Sequence, residues 1–204
     1  MRTLRGWVHF AWRFEVNLYK SLYRFLTRRP DVPEGATGVR YVGAISVLLW
    51  AFVIGSAVEL VVLHVILPWE KVRLAADIVG IWGLMWMLGF TASHYVYPHV
   101  VSADGLRLRN GHHVTVDVPW AAVAGASTRE RSVDGNKSLI HQDDVLLVPV
   151  GGRTNVEVRL ARPLEVVVRG EPVEVTEVRF FADEPRPVWQ RIAQEVSARS
   201  GGSR

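Results

Sequence analysis

Two apolar runs, Tyr41–Pro68 and Leu74–Tyr97, follow one another with only Trp69–Arg73 between them. Each is long enough to cross a hydrocarbon core of about 30 Å as a helix, which takes ~20 residues. No charged residue falls between Val42 and Ala57 or between Ile78 and Ser93, so neither helix has a polar stripe for water to solvate. The pattern predicts a transmembrane helical hairpin: transmembrane helix 1 over 41–68, an outer turn over 69–73 and transmembrane helix 2 over 74–97. A soluble hairpin lacks its polar face here. A removable signal peptide does not suit a first apolar run that waits until residue 41 behind a charged tail.

The net charge of +4 is unevenly placed. Residues 1–40 carry eight Arg/Lys against three acids, 41–97 carry two against three, and 98–204 carry fourteen against fourteen. Short loops rich in Arg and Lys stay on the cytoplasmic side. Arg24, Arg28, Arg29 and Arg40 therefore predict a cytoplasmic N-terminus, and two crossings bring the C-terminal half back to the same side. The expected location is the bacterial inner (cell) membrane, as a multi-pass protein. Arginine outnumbers lysine 21 to 3, a bias that suits a GC-rich bacterial genome. Cysteine is absent, which excludes disulfides, thiolate metal sites and cysteine nucleophiles. The electrically balanced C-terminal half has no aromatic-and-basic strand of the RNA-binding kind, so no nucleic acid partner is expected.

Ahead of the hairpin, apolar residues recur at Leu4, Trp7, Ala11, Phe14, Leu18, Leu22 and Phe25, at helical spacing. Arg2, Arg5, Arg13, Lys20, Arg24, Arg28 and Arg29 supply the polar side, and Trp7, Trp12, Tyr19 and Tyr23 suit the headgroup zone. Residues 1–29 thus read as a basic amphipathic interfacial helix lying on the inner leaflet against anionic lipid headgroups. The competing reading packs that helix on the C-terminal domain. Pro30, Pro33, Gly35 and Gly38 mark a linker over 30–40.

Three ionisable residues interrupt the apolar hairpin: Glu59 and His64 in the first helix, Asp77 in the second. Such groups inside a bilayer are costly and are candidates for function. Counted outward from the turn, His64 and Asp77 share a depth, so a hydrogen bond between them is geometrically possible. Glu59 lies deeper and about 140° around the helix from His64. It is expected to face a neighbouring helix and accept a hydrogen bond there, or to be protonated.

Residues 98–198 read as an α+β domain, followed by a disordered tail over 199–204. Alternation marks strands in LRLR from Leu106, VTVDV from Val114, NVEVRL from Asn155, LEVVVR from Leu164 and VEVTEVRFF from Val173. Val173 and Val175 share one parity, Val178 and Phe180 the other, which places a bulge near Thr176–Glu177. Turn residues cluster at Ala103-Asp104-Gly105, Asn110-Gly111, Gly151-Gly152 and Gly170-Glu171-Pro172. Asp183 is placed to cap a last helix with Val188, Trp189, Ile192 and Val196 on one face.

The phrase Ser102-Ala103-Asp104-Gly105-Leu106, the LRLRNG that contains Leu106, the Val118-Pro119-Trp120 step into AAVAGAS and a last strand leading into a C-terminal helix resemble bacterial pleckstrin-homology-like (PH-like) domains attached to paired membrane helices. The resemblance covers about residues 75–198. It implies a small seven-strand β-barrel closed by one α-helix, and a binding or assembly role at the membrane; it brings no catalytic residues. A polar loop over Thr128–Asp144 departs from it. No phosphate loop, nucleophile elbow or HExxH zinc site occurs. His112, His113, His141, Asp143 and Asp144 could hold a metal only if their loops met, and adjacent histidines on a strand point apart, so no metal and no cofactor is expected.

The expectation is therefore a non-enzymatic membrane protein that presents a cytoplasmic PH-like domain to a protein partner or to its own copies. The alternative is an accessory subunit of a membrane transport or envelope-maintenance complex that uses Glu59, His64 and Asp77.

Overall fold

A computed structural model describes residues 4–135, 137–168 and 170–201. The chain forms two compact units, one from residues up to 30 together with 45–96, the other from 31–44 together with 97 onward.

The first unit is helical. Unbroken apolar sequence with no interior proline gives α2 (Gly43–Ile66) and α3 (Glu70–Val96), both long and apolar enough to cross a membrane. Pro68 cannot continue α2. α3 starts almost at once, the Trp69 carbonyl accepting from Arg73 N at 2.8 Å. The connection is therefore shorter than the turn expected over 69–73, and Glu70 sits in the first turn of α3, where an acid suits the positive end of the helix dipole.

α1 (Leu4–Leu26) does not stand apart from the hairpin. It packs along α3 and runs parallel to it, as three contacts in ascending order show. The Phe14 ring lies 6.1 Å from Trp86, Leu18 abuts Gly89, and the Phe25 ring lies 5.5 Å from Tyr95. A Cβ on Gly89 would come within 2.9 Å of the Leu18 carbonyl oxygen, so only glycine lets the two backbones approach this closely. Leu18 and Ser21 are fully buried in this seam.

The second unit is α+β. Among the described residues its strands form two open sheets, and the closed barrel implied by the resemblance does not form. β1 (Thr37–Val39), β2 (His99–Val101), β3 (Gly105–Asn110) and β4 (Val114–Pro119) make a four-stranded antiparallel sheet in chain order. β5 (Val123–Ser132), β6 (Ile140–Gln142), β7 (Val145–Val148), β8 (Arg153–Val168) and β9 (Glu171–Phe180) make the other, ordered β5-β8-β9-β7-β6. Between β4 and β5 the chain makes a 3-10 turn, Trp120–Ala122, in place of continuous strand, and this divides the sheets. Trp120 fixes the corner by donating its indole N–H to the Ser102 carbonyl at 2.9 Å. Inward side chains of both sheets, among them Leu106, Leu108, Val118, Leu146, Val156, Val178 and Phe180, form one core that Val188 and Ile192 of α4 (Pro185–Gly201) complete.

Several boundaries differ from the sequence reading. The linker over 30–40 contains β1, which pairs with β2, so this stretch belongs to the α+β unit. Much of the polar loop over 128–144 is strand, because β5 runs on to Ser132 and β6 forms at Ile140–Gln142. NVEVRL and the LEVVV that begins at Leu164 join into the single strand β8. The parity switch at Thr176–Glu177 is present: Val175 and Val178 are both fully buried, and the ladder with β8 jumps there from Arg159↔Glu177 to Leu164↔Val175. The extra residues lie on β8. Helix α4 extends through Gly201, so residues 199–201 are ordered, while 202–204 lie outside the described residues.

Candidate functional site

Asp183 does not cap α4. Its backbone N–H donates to the Arg40 carbonyl at 2.8 Å, and its carboxylate accepts from the N–H of Gly43, the first residue of α2, at 2.9 and 3.2 Å. The free N–H groups of a helix start favour such an anion. Burial raises the Asp183 carboxyl above its ordinary value, while the Gly43 N–H and the nearby Arg40 pull it the other way. A Cβ on Gly43 would lie 2.8 Å from the carboxylate, so the fit depends on glycine.

This latch floors a cleft of about 680 Å³ between β1, the end of β9 and the start of α4. Val39, Val101, Phe181 and Val188 give it an apolar wall. Arg40, Arg153 and Arg191 stand around it against Asp183 and Glu184. Arg153 lies over the Phe181 ring at 5.7 Å and reaches Glu130 at 3.4 Å; Arg191 pairs with Glu195 at 2.8 Å. All three arginines are exposed. One side of the cleft is β1, the outer strand of its sheet, bonded among the described residues to β2 alone.

Behind the cleft lies a buried polar cluster. His99 is buried between the Tyr41 ring at 4.6 Å and the edge of Phe180 at 5.1 Å. Its Nδ1 accepts from Arg109 N at 2.9 Å and its Nε2–H donates to the Phe181 carbonyl at 2.9 Å, which fixes a neutral tautomer. Burial, with the positive charge of Arg109, lowers its pKa from 6.5 to about 4 against the opposing Phe181 bond. The Tyr41 hydroxyl donates to the Tyr97 carbonyl at 3.1 Å and accepts from Gly111 N at 2.8 Å. Arg109 reaches Asp31 twice, at the carbonyl (2.8 Å) and the carboxylate (3.0 Å). Residues 31–44 are thus held to the unit by strand pairing, ring packing and an ion pair together.

Of the residues singled out in the hairpin, His64 and Asp77 meet: the Asp77 carboxylate accepts from His64 Nδ1 at 2.9 Å. Glu59 does not join them. It faces outward on α2, and no described residue makes a hydrogen bond or ion pair with it. Arg2 lies outside the described residues, as do the side chains of Arg5 and Trp7. Trp12, Arg13, Lys20, Arg28 and Arg29 are exposed, and Arg24 is half-buried. His112, His113, His141, Asp143 and Asp144 do not converge: among the described residues no three His, Cys, Asp or Glu side chains gather.

Glu15 was missed. It accepts from Trp82 Nε1 at 2.8 Å and from the Tyr19 hydroxyl at 3.1 Å, on the seam between α1 and α3. Its signal was present, since it is the one acid of residues 1–29 and falls on the apolar side of the helical repeat. His99, Arg40, Arg153 and Arg191 carried no comparable signal, because the sequence spreads them over four separate segments. No family model, curated protein or solved structure matches the chain.

Proposed function

We propose that this chain is a non-enzymatic binding or assembly module embedded in the bacterial inner membrane by α2 and α3, with a PH-like α+β unit on the cytoplasmic side. The outward surface of the two helices carries the reading. Val47, Val65, Ile66 and Val79 are 82%, 75%, 67% and 64% exposed, an apolar surface that water would not tolerate but lipid would cover. The PH-like assignment draws support from two sheets sharing one core with a C-terminal helix. The cytoplasmic side draws support from the arginines that flank the start of α2.

The cleft is the binding site on this reading. Its three arginines and the unpaired edge of β1 suit an extended, acidic segment of a partner protein, which would add to the sheet edge and place its carboxylates against the guanidinium groups. Anionic lipid headgroups meet the chain elsewhere, at a groove on α1 lined by Tyr19, Lys20, Tyr23, Arg24 and Arg29. The transport reading draws less support, because His64 bonds one oxygen of Asp77 and Glu59 stands away from both.

Since the chain lacks cysteine, a single Thr37→Cys can carry a photo-crosslinker in native membranes. The reading expects a protein adduct that Arg40→Glu with Arg191→Glu abolishes, in a chain that resists alkaline extraction. An adduct unchanged by charge reversal would refute the cleft, and release by alkali would refute membrane embedding.

A further inference from the structure

We infer that a second copy of this chain covers the outward face of α1, with Arg13 of one copy paired to Glu59 of the other inside the bilayer. This rests on the membrane reading above.

The contacts of α3 set a common scale of depth. Leu60 of α2 meets Gly80, and His64 meets Asp77, so Glu59 is level with residues near 81. On the other side of α3, Glu15 meets Trp82 and Phe14 meets Trp86. Arg13 therefore lies within about one helical turn, ~5.4 Å, of the level of Glu59. Both levels fall near the middle of α3, which runs from Glu70 to Val96.

Other described ionisable groups at these depths have remedies of their own. Glu15 is bonded to Trp82 and Tyr19, and Asp77 to His64. Lys20 lies two residues past Leu18, which abuts Gly89, near the Val96 end of α3, where its stem can carry the ammonium to the headgroups. Among the described residues Arg13 and Glu59 remain. Both are exposed, neither has a hydrogen bond or ion pair with another described residue, and no ion pair joins them within one chain. A lone ion facing hydrocarbon is costly, and these two are opposite in sign at one depth on different helices. Pairing between copies neutralises both, and a twofold arrangement satisfies both copies at once.

The surface around Glu59 suits a helix as its occupant. Gly55, one turn before Glu59, is exposed with open space where a Cβ would be, which lets another helix approach the α2 backbone closely. α1 in turn is too polar to qualify as a membrane span by composition, yet it shares the depth of α3. A helix of that kind is stable in lipid only with its charged face covered.

Absence of cysteine makes the test direct. Arg13→Cys in one tagged copy and Glu59→Cys in a differently tagged copy are co-expressed, and native membranes are oxidised. The expected product is a disulfide dimer carrying both tags. Glu59→Arg alone should lower assembly of the purified chain about tenfold or more, and Arg13→Glu in the same chain should restore it. Absence of the mixed dimer in alkali-resistant membranes, or unchanged assembly in Glu59→Arg, would overturn this inference alone. Release of the unmodified chain by alkali would overturn the membrane reading and this inference with it.

Discussion

Acid should weaken the α+β unit through His99, by an amount that its surroundings set. The ring is packed between Tyr41 and Phe180, and Nδ1 is already occupied by the Arg109 N–H. A second ring proton would turn that hydrogen bond into a clash of two donors beside the Arg109 charge. The pKa therefore falls from 6.5 to about 4 on folding. At ~1.36 kcal/mol per unit, the difference of roughly 2.5 units is worth about 3 kcal/mol. Because the folded value is depressed, the contribution is fully present above 6.5, drains as pH falls from there to about 4, and changes no further below. Asp183, with its raised carboxyl, works in the opposite sense, since its ionised form is the one that folding disfavours. The comparison is therefore made between the parent chain and His99→Gln, which cannot take the proton. Urea unfolding in detergent at constant composition, followed by the loss of the β-sheet far-UV signal at a series of pH values, should show the parent losing about 3 kcal/mol more than the variant between pH ~7 and ~4. Equal losses in the two chains would refute the reasoning, as would a His99 ring found by NMR to titrate near its ordinary value.

Gly89→Leu should drive α1 off α3, since even a Cβ would lie 2.9 Å from the Leu18 carbonyl oxygen; limited trypsin digestion should then cut at Arg13 and Lys20 in the variant and spare the parent. Asp183→Ala removes the acceptor from Gly43 N and should cost about 1 kcal/mol, as the loss of a helix cap does, read as a lowered unfolding midpoint. Asp31→Ala leaves the Arg109 guanidinium, whose side chain is 9% exposed, without its carboxylate, and should cost about 2 kcal/mol in the same unfolding experiment; rescue by Asp31→Glu would support the ion pair, whereas no loss in Asp31→Ala would refute it.

The hairpin was legible because it depends on composition over long windows, which survive errors in any single residue. His64 and Asp77 were legible for the same reason, since an antiparallel pair with a short connection maps sequence directly onto depth. β1 was not legible: three residues, Thr37–Val39, in a Pro- and Gly-rich stretch become strand only because β2 offers a ladder, and β2 is some sixty residues away. The far half of β5 reads as a polar loop because Thr128–Ser132 is solvent-facing for most of its length, so no buried face imprints alternation on it. Alternation in LRLR sets Arg107 and Arg109 on one face of the strand. Arg107 is exposed and paired with Asp117, but Arg109 is buried because Asp31 lies within its reach, a fact of tertiary pairing that local pattern cannot contain. The path of α1 depended on Gly89, whose role is visible only once Leu18 lies against it.

The latch at Asp183 also has a consequence in time. Gly43 and the carboxylate that holds it are 140 residues apart in the chain. At ~5–20 residues per second, a ribosome delivers Asp183 roughly 7–28 s after Gly43. Throughout that interval residues 31–44 wait without their partners, while the whole apolar hairpin is made and must find its own environment. The α+β unit can close only after the hairpin exists, so the order of synthesis makes the hairpin first and lets the domain fold last. A fragment beginning at residue 98 would leave out Thr37–Val39, Tyr41 and Asp31 altogether, and would expose His99 and Arg109 as it formed.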